Sequence, residues 1–338
     1  MNQKKQGIWF PTVKCGTGTD IFTITLVEEL NKRGIRAEIT WLPHHAEYLP
    51  WFVPKPKTPE WATVAHINTW LHPRFIPSNI PVIATLHHSI HDPELQPFKG
   101  FLRTQYHSYW IKNIEKETMS RASIVVAVSQ FSANTAQQQV TTVPIRVIRN
   151  GVDTNRFKPK KNKTMNHPFR LLYVGSWMKR KGVDLLAPIM NELGDDYTLY
   201  YTGGDLAKKN KKDMPKNMID IGRLDSHGVI KAMQDADALL FPSRSEGLPL
   251  TGIEAMSCGL PIIGTNASSF PEIIENKKTG FLCELNKIAD FAYACKALAE
   301  NTDLYLNMCL ESRKKIQSGF TMGRMVSNYI DLYNQLNY

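Results

Sequence analysis

The sequence predicts an α/β protein built as two successive domains, each a parallel sheet flanked by helices. Three observations lead there. A chain of 338 residues exceeds what one hydrophobic core usually organises. Apolar runs of strand length alternate with helical periodicity along the first half, and the alternation starts afresh at Arg170. Between the two series, Thr154 to Pro168 is basic, proline-bearing and poor in apolar side chains, as an interdomain linker would be. The expected boundaries are therefore 1–153, a linker at 154–168, 169–318, and a terminal segment at 319–338.

The first series opens with Gly7 to Phe10 as a strand, a glycine-bearing turn from Gly16 to Asp20, and a helix from Ile21 to Lys32. Glycines such as Gly16 and Gly18 let backbone N–H groups come close to a ligand. Arg36 to Trp41 is the next strand. Leu42 to Trp70 then carries Trp51, Phe52, Trp61 and Trp70 among prolines at 43, 50, 54, 56 and 59, which argues against regular structure. With Lys55 and Lys57 these aromatics suit either a substrate-binding or membrane-touching loop, or plain packing over the sheet. Pro81 to His88 is a buried strand that brings His87 and His88 to its carboxyl end, the end that faces the binding crevice in open parallel sheets. Gln105–Ser120 reads as a helix, Ala122–Ser129 as a strand, and Phe131–Val140 as its helix.

The second series runs through strand Arg170–Gly175, a loop at 176–182, helix Val183–Leu193, strands at Tyr197–Gly204 and Met218–Arg223, and helix Val229–Asp237. Asp235 and Asp237 have the D-x-D spacing of metal-binding transferases. They lie on a helix before a strand, so the reading is structural. Helices at Asp290–Glu300 and Thr302–Ser318 follow, and Met325 to Leu336 places Met325, Tyr329, Leu332, Tyr333 and Leu336 at helical spacing.

Composition narrows the partners. Hydrophobic residues make up 42%, ordinary for a globular protein, and no run approaches a spanning helix. The N-terminus lacks the apolar core and cleavage site of a signal peptide. Five cysteines form neither a C-x-x-C pair nor a zinc spacing, which fits reduced thiols in the cytoplasm. A net charge of +10, with lysine clusters at 158–163, 179–181 and 208–212, favours phosphorylated substrates or an anionic membrane surface. The 158–163 and 208–212 runs read equally well as solvated loops. No zinc-finger or aromatic-basic motif supports nucleic acid as a partner.

The most informative stretch runs from Phe241 to Glu275. A short apolar strand ends at Phe241, a tight loop follows, and LTGIEAMSC continues at helical spacing from Pro249. Proline suits a first helical position, and Gly259 and Pro261 suit the helix end. Such a strand–loop–helix junction gathers unpaired N–H groups and the positive end of the helix dipole, a ready anion site. Glu246 and Glu254 frame it, and Glu254 shares a helix face with Leu250. Carboxylates beside a phosphate would accept from hydroxyls on either side of it.

This stretch closely resembles the retaining glycosyltransferases of family 4, whose fold is GT-B. Their P-S-x-x-E-G-x6-E-A-M-A-x-G-x-P signature is matched by Pro242, Ser243, Glu246, Gly247, Glu254, Ala255, Met256, Gly259 and Pro261. Pro271 to Ile274, Thr279 to Leu282 and Asn150-Gly151-Val152-Asp153 stand in register too. The resemblance implies two Rossmann-like doubly wound domains facing each other across a cleft. The first would take the acceptor, the second the nucleotide sugar, and the last helix would return to the first domain. It implies donor binding by Gly16 or Gly18, Lys181, Arg223, Gly247, Leu250, Thr251 and Glu254, with Glu246 on the sugar and His87 as the second catalytic residue. The family's V-G-R-x4-K-G pattern keeps Lys181 and Gly182 but has Ser176 where the arginine stands. The implied activity is transfer of a sugar from a nucleotide-diphosphate sugar to a glycan, lipid-linked or other acceptor, with retention and without metal or cofactor. A GT-B epimerase and a non-catalytic sugar-nucleotide-binding subunit are the alternatives. The expected location is cytoplasmic, peripheral on the inner face of the membrane.

Overall fold

The computed structural model describes residues 6–207 and 214–336, so the lysine cluster at 208–212 lies outside the described residues. The chain divides into two compact units, Met1–Arg149 with Gly323–Tyr338, and Asn150–Met322.

In the first unit, strands β1 (Gly7–Val13), β2 (Arg36–Leu42), β3 (Val64–Asn68), β4 (Val82–Leu86), β5 (Ile124–Ala127) and β6 (Ile145–Val147) form one sheet in the order 2-1-3-4-5-6. Every pairing is parallel. β1 and β4 are buried along their whole length, as expected of central strands covered on both faces. β3 corrects the reading of 42–70 as irregular: the prolines stop at 59, and Val64–Asn68 is free to pair with β1 and β4. Its signal was hidden because His66 interrupts the apolar run, although the side chain is buried.

The tryptophans of this region divide. Trp61 packs beneath the Arg36 guanidinium, 4.3 Å from its ring centroid, and Trp70 Nε1 donates to Glu115 Oε1 at 3.1 Å. Trp51 and Phe52 remain 59% and 80% exposed. The expected helix 105–120 is longer, running through Phe101–Gln105, a π-helical turn at Tyr106–Ile111, and Lys112–Arg121.

The helix Met322–Gln335 packs on this unit through Met325, Val326, Tyr329, Leu332 and Tyr333, all buried. Its anchor is polar. His66 Nδ1 lies 2.7 Å from Tyr333 Oη, and its Nε2 lies 2.7 Å from Thr85 Oγ1, which in turn stands 3.3 Å from Tyr329 Oη. Burial holds the His66 imidazole neutral, with its pKa pushed down to about 3. Both ring nitrogens are satisfied, as a buried polar group requires.

In the second unit, β7 (Phe169–Tyr173), β8 (Tyr197–Tyr201), β9 (Met218–Asp220), β10 (Ala238–Phe241), β11 (Ile262–Thr265) and β12 (Gly280–Cys283) form a parallel sheet in the order 12-11-10-7-8-9. Strand order reverses between β7 and β10, which are direct neighbours. Residues 154–168, expected as a linker, fold into this unit instead. Phe157 is buried, its carbonyl accepts from Ser257 Oγ at 2.7 Å and Arg313 Nη1 at 2.7 Å, and the Lys163 ammonium bonds Ala236 O. Low apolar content concealed this, because the attachment is made by backbone carbonyls and ammonium groups. Asp237 is fully buried and accepts from Arg170 N at 2.8 Å and Asn166 Nδ2 at 2.9 Å, a structural role for half of the D-x-D pair. All five cysteines are free.

Tyr333→Phe removes the hydroxyl while keeping the ring, so His66 Nδ1 loses its partner in a dry site. We expect a loss of about 1–3 kcal/mol in unfolding free energy, read from urea denaturation. An unchanged midpoint would remove the anchoring role.

Candidate active site

The strand reversal between β7 and β10 leaves a crevice at their carboxyl ends, where open α/β sheets bind ligands. Two loops fill its rim, 174–182 after β7 and 242–249 after β10. They touch at Gly182, which has φ +72°. A Cβ there would lie 2.0 Å from Pro242 O, so the approach requires glycine for both conformation and space.

That approach places Lys181 against Glu246. Lys181 Nζ is 2.6 Å from Glu246 Oε1, with side-chain exposures of 17% and 9%. The same oxygen accepts from Ser243 Oγ at 2.6 Å. The Glu246 backbone is pinned too: its N–H donates to Ser268 Oγ at 3.1 Å, and its carbonyl accepts from Ser269 Oγ at 3.0 Å. Burial alone would raise the Glu246 pKa. The Lys181 and Arg180 charges and the two side-chain hydrogen bonds outweigh it, and the net shift is downward. Glu246 therefore stabilises the fold above the ordinary carboxylate range, and that contribution is lost as pH falls through its lowered value.

Two arginines brace the loops. Arg180 Nη1 donates to Ser245 O at 2.6 Å. Arg244, buried, makes a two-pronged pair with Asp184 at 2.7 and 2.9 Å and donates from Nε to Asn286 Oδ1 at 2.8 Å. Sequence reading passed over Arg244 because it fills a variable position of the signature. Nothing in its spacing marks it as a brace.

Helix Leu250–Ser257 begins at the same rim with Pro249 as its N-cap residue, one position later than expected. No side chain caps it, and the Leu250 and Thr251 amides find no acceptor among the described residues. Gly247 is buried in the loop below them. Glu254, one turn in, is partly buried without a side-chain hydrogen bond among the described residues. Burial pushes its carboxyl up to about 7, and the charge of Arg156 only partly offsets this. Arg223 follows β9 and is exposed. Ser176 is exposed as well, and its carbonyl accepts from Tyr173 Oη at 3.0 Å.

Gly16, Gly18 and His87 lie in the first unit, also at strand ends. Gly16 has φ +68°, and its N–H donates to Asp20 Oδ2 at 2.6 Å; Gly18 opens the helix Gly18–Lys32. That helix carries Phe22, whose ring meets the His87 ring edge-on at 4.7 Å. Burial lowers the His87 pKa to about 4, so the imidazole is neutral at neutral pH. A small cavity beside it is lined by Thr12, Phe22, His66 and Asn68. The structure thus gathers Lys181, Glu246, Gly247, Leu250, Thr251 and Glu254 at one edge of the second unit, and Gly16, Gly18 and His87 at one edge of the first. Among the described residues no helix is long and apolar enough to cross a membrane.

Two parallel Rossmann-like sheets with this rim define the GT-B class of α/β proteins. Residues 153–315 match the family model described as glycosyl transferases group 1, and residues 17–156 match the model described as glycosyltransferase family 4. Together the matches run from residue 17 to residue 315, and the chain belongs with the family 4 glycosyltransferases. It is 34% identical over 170 residues to an uncharacterised glycosyltransferase of Haemophilus influenzae, covering 47% of this chain and 46% of that one. It is 32% identical over 216 residues to a UDP-Gal:alpha-D-GlcNAc-diphosphoundecaprenol alpha-1,3-galactosyltransferase of Escherichia coli, covering 57% of this chain and 55% of that one. The chain thus spans about half the length of these two relatives. In fold it is similar to sucrose-phosphate synthase from Thermosynechococcus elongatus, with a TM-score of 0.79 at 17% identity, covering 97% of this chain and 98% of that one.

Glu254 yields a pH test. Its folded pKa is raised, so stability falls as pH rises from the ordinary carboxylate value to about 7 and is then level. Glu254→Gln removes this penalty. We expect the ligand-free variant to match the parent near pH 4 and to exceed it by about 1–3 kcal/mol at pH 8, measured by chemical denaturation. A gap independent of pH would contradict the assignment.

Proposed function

We propose that the protein is a retaining glycosyltransferase that moves a sugar from a nucleotide-diphosphate sugar to a glycan or lipid-linked acceptor without a metal ion. The observation that carries this is the Lys181–Glu246 pair beside the open amides of Leu250 and Thr251, at the strand reversal of the second sheet. As the glycosidic bond stretches, negative charge grows on the leaving diphosphate. Helix amides and Lys181 supply fixed positive charge there, the task a metal would otherwise perform. Arg180, already facing this rim, supplies the cation that Ser176 does not.

In the free protein Lys181 neutralises Glu246. A diphosphate competes for the ammonium, which frees the carboxylate to accept from sugar hydroxyls. Glu254, costly to ionise without a partner, takes the ribose hydroxyls, and Arg223 and Gly247 border the nucleotide. Gly18 offers its backbone amide to the phosphates, and Gly16, whose N–H is taken by Asp20, shapes the turn that presents it. His87 is neutral and positions the sugar, which argues against a cationic role for it. Among the described residues no second carboxylate is paired with Glu246 as a nucleophile, so same-face attack assisted by the leaving phosphate is the favoured course. The relative named for UDP-Gal and a diphosphoundecaprenol-linked acceptor supports both the donor class and a lipid-linked acceptor.

Nucleotide release from a panel of uridine, guanosine and adenosine diphosphate sugars tests the reading. Glu246→Gln should lower kcat/KM by about 100-fold or more, assayed well below its unfolding midpoint, which falls with the loss of the Lys181 ion pair. Full activity in the folded variant sinks the proposal. Lys181→Ala is a poorer probe, because it strands a buried carboxylate at a cost of about 3–5 kcal/mol.

The cytoplasmic, peripheral location is part of the same proposal. Exposed Trp51 and Phe52 with Lys55 and Lys57 make a surface suited to an anionic bilayer. The protein should co-sediment with anionic vesicles but not neutral ones, and the double change Trp51→Ser, Phe52→Ser should release it. Equal binding by the variant would exclude this face.

A further inference from the structure

The first unit carries a donor cluster that no step above uses. β1 and β2 run parallel with Val13 opposite Leu42, and Lys14 N–H donates to Leu42 O at 3.0 Å. The register therefore brings the two strand exits side by side. Cys15 leaves β1, while His44 and Glu47 occupy the short 3-10 turn His44–Glu47 just beyond β2. One ligand atom from each of Cys15, His44 and Glu47 lies within 4.8 Å of the other two. Sulfur, imidazole nitrogen and carboxylate oxygen are the three donor types that zinc takes.

We propose that Cys15, His44 and Glu47 bind a divalent cation of the zinc class, with water in the fourth position. The surrounding groups suit that occupant. Asp20 Oδ2 accepts from the Cys15 and Gly16 amides at 3.0 and 2.6 Å, which fixes the backbone that carries the sulfur. Tyr106 Oη donates to Glu47 Oε1 at 3.1 Å, which orients the carboxylate from outside the cluster as metal-bound carboxylates are, and Trp110 Nε1 donates to the Glu47 backbone carbonyl at 3.1 Å, which holds the turn. His44 is held edge-on by Tyr48 at 5.4 Å.

Electrostatics point the same way. Asp20 Oδ1 is buried without a hydrogen bond, and Glu47 adds a second carboxylate to the same corner, so two acidic side chains stand there beside the sulfur. On binding, the metal–sulfur bond forms as the Sγ proton leaves to solvent. Zn–S of about 2.3 Å and Zn–N or Zn–O of about 2.0 Å put these three tetrahedral donors about 3.3–3.5 Å apart. From separations within 4.8 Å the cluster closes by at most about 1.5 Å, and His44 is exposed and has room to turn.

No step of the transfer uses these three side chains, and the test reads the metal alone. The reduced full-length protein, stripped by chelator, is titrated with Co²⁺. Expected is uptake of one equivalent, with a thiolate-to-cobalt band in the near ultraviolet and the intense visible bands of four-coordination, displaced by Zn²⁺. Cys15→Ser should abolish the ultraviolet band. His44→Ala and Glu47→Gln should keep it with affinity weakened about 10-fold or more. No stoichiometric uptake, or a band that persists in Cys15→Ser, overturns the site. Should Cys15→Ser fold poorly, unchanged affinity in both other variants overturns it equally.

Discussion

A carboxylate that must stay ionised in a nearly dry position is the constraint around which the second unit's ligand edge is organised. Glu246 can hold its charge only while Lys181 and Ser243 remain within bonding distance, so the loops after β7 and β10 have to meet. Everything nearby serves that meeting. Gly182 gives up its side chain so that Pro242 O can approach, and Arg244 ties the loop after β10 to Asp184 on the other side. Ser268, at φ +51°, turns its hydroxyl under the Glu246 amide. Strained or glycine-only backbone at a ligand edge reflects the need to bring polar groups together before any ligand arrives.

The two glutamates of this edge are held in opposite states by their surroundings. Glu246 is surrounded by cations and donors and stays charged. Glu254, eight residues on, is desolvated without a partner and sits near neutrality. The second is an expensive arrangement for the empty protein. It makes sense where a ligand hydroxyl or a proton completes the site, which is how binding energy is stored in a pocket rather than spent on the fold.

Much of this was legible in the residues. Helix Val183–Leu193 falls within its expected bounds because Gly182 and Gly194 punctuate a clear apolar stripe. β10 and the helix after it were marked by a short apolar run, a loop and Pro249. What escaped shared one cause: polar groups that are buried and satisfied by partners far away in sequence. β3 was lost behind His66, whose partner Tyr333 stands 267 residues later. Arg244 reads as a surface charge until Asp184 is seen across from it. The 154–168 segment has few apolar side chains, Phe157 being the buried one, and is otherwise fastened by carbonyl oxygens and charged groups. Periodicity reports burial of oil, and it is silent where burial is achieved by hydrogen bonds.

The placement of helix Met322–Gln335 has a consequence for how the chain comes into being. During synthesis the first unit's six-stranded sheet is made before the second unit, yet the Tyr333 and Tyr329 hydroxyls that meet His66 and Thr85 come after it. The later-made lobe, complete by Met322, has all its own strands before the earlier one can close. Birth order and completion order are therefore reversed, and a nascent molecule halted short of this helix would carry an open apolar seam, the kind of surface that chaperones recognise.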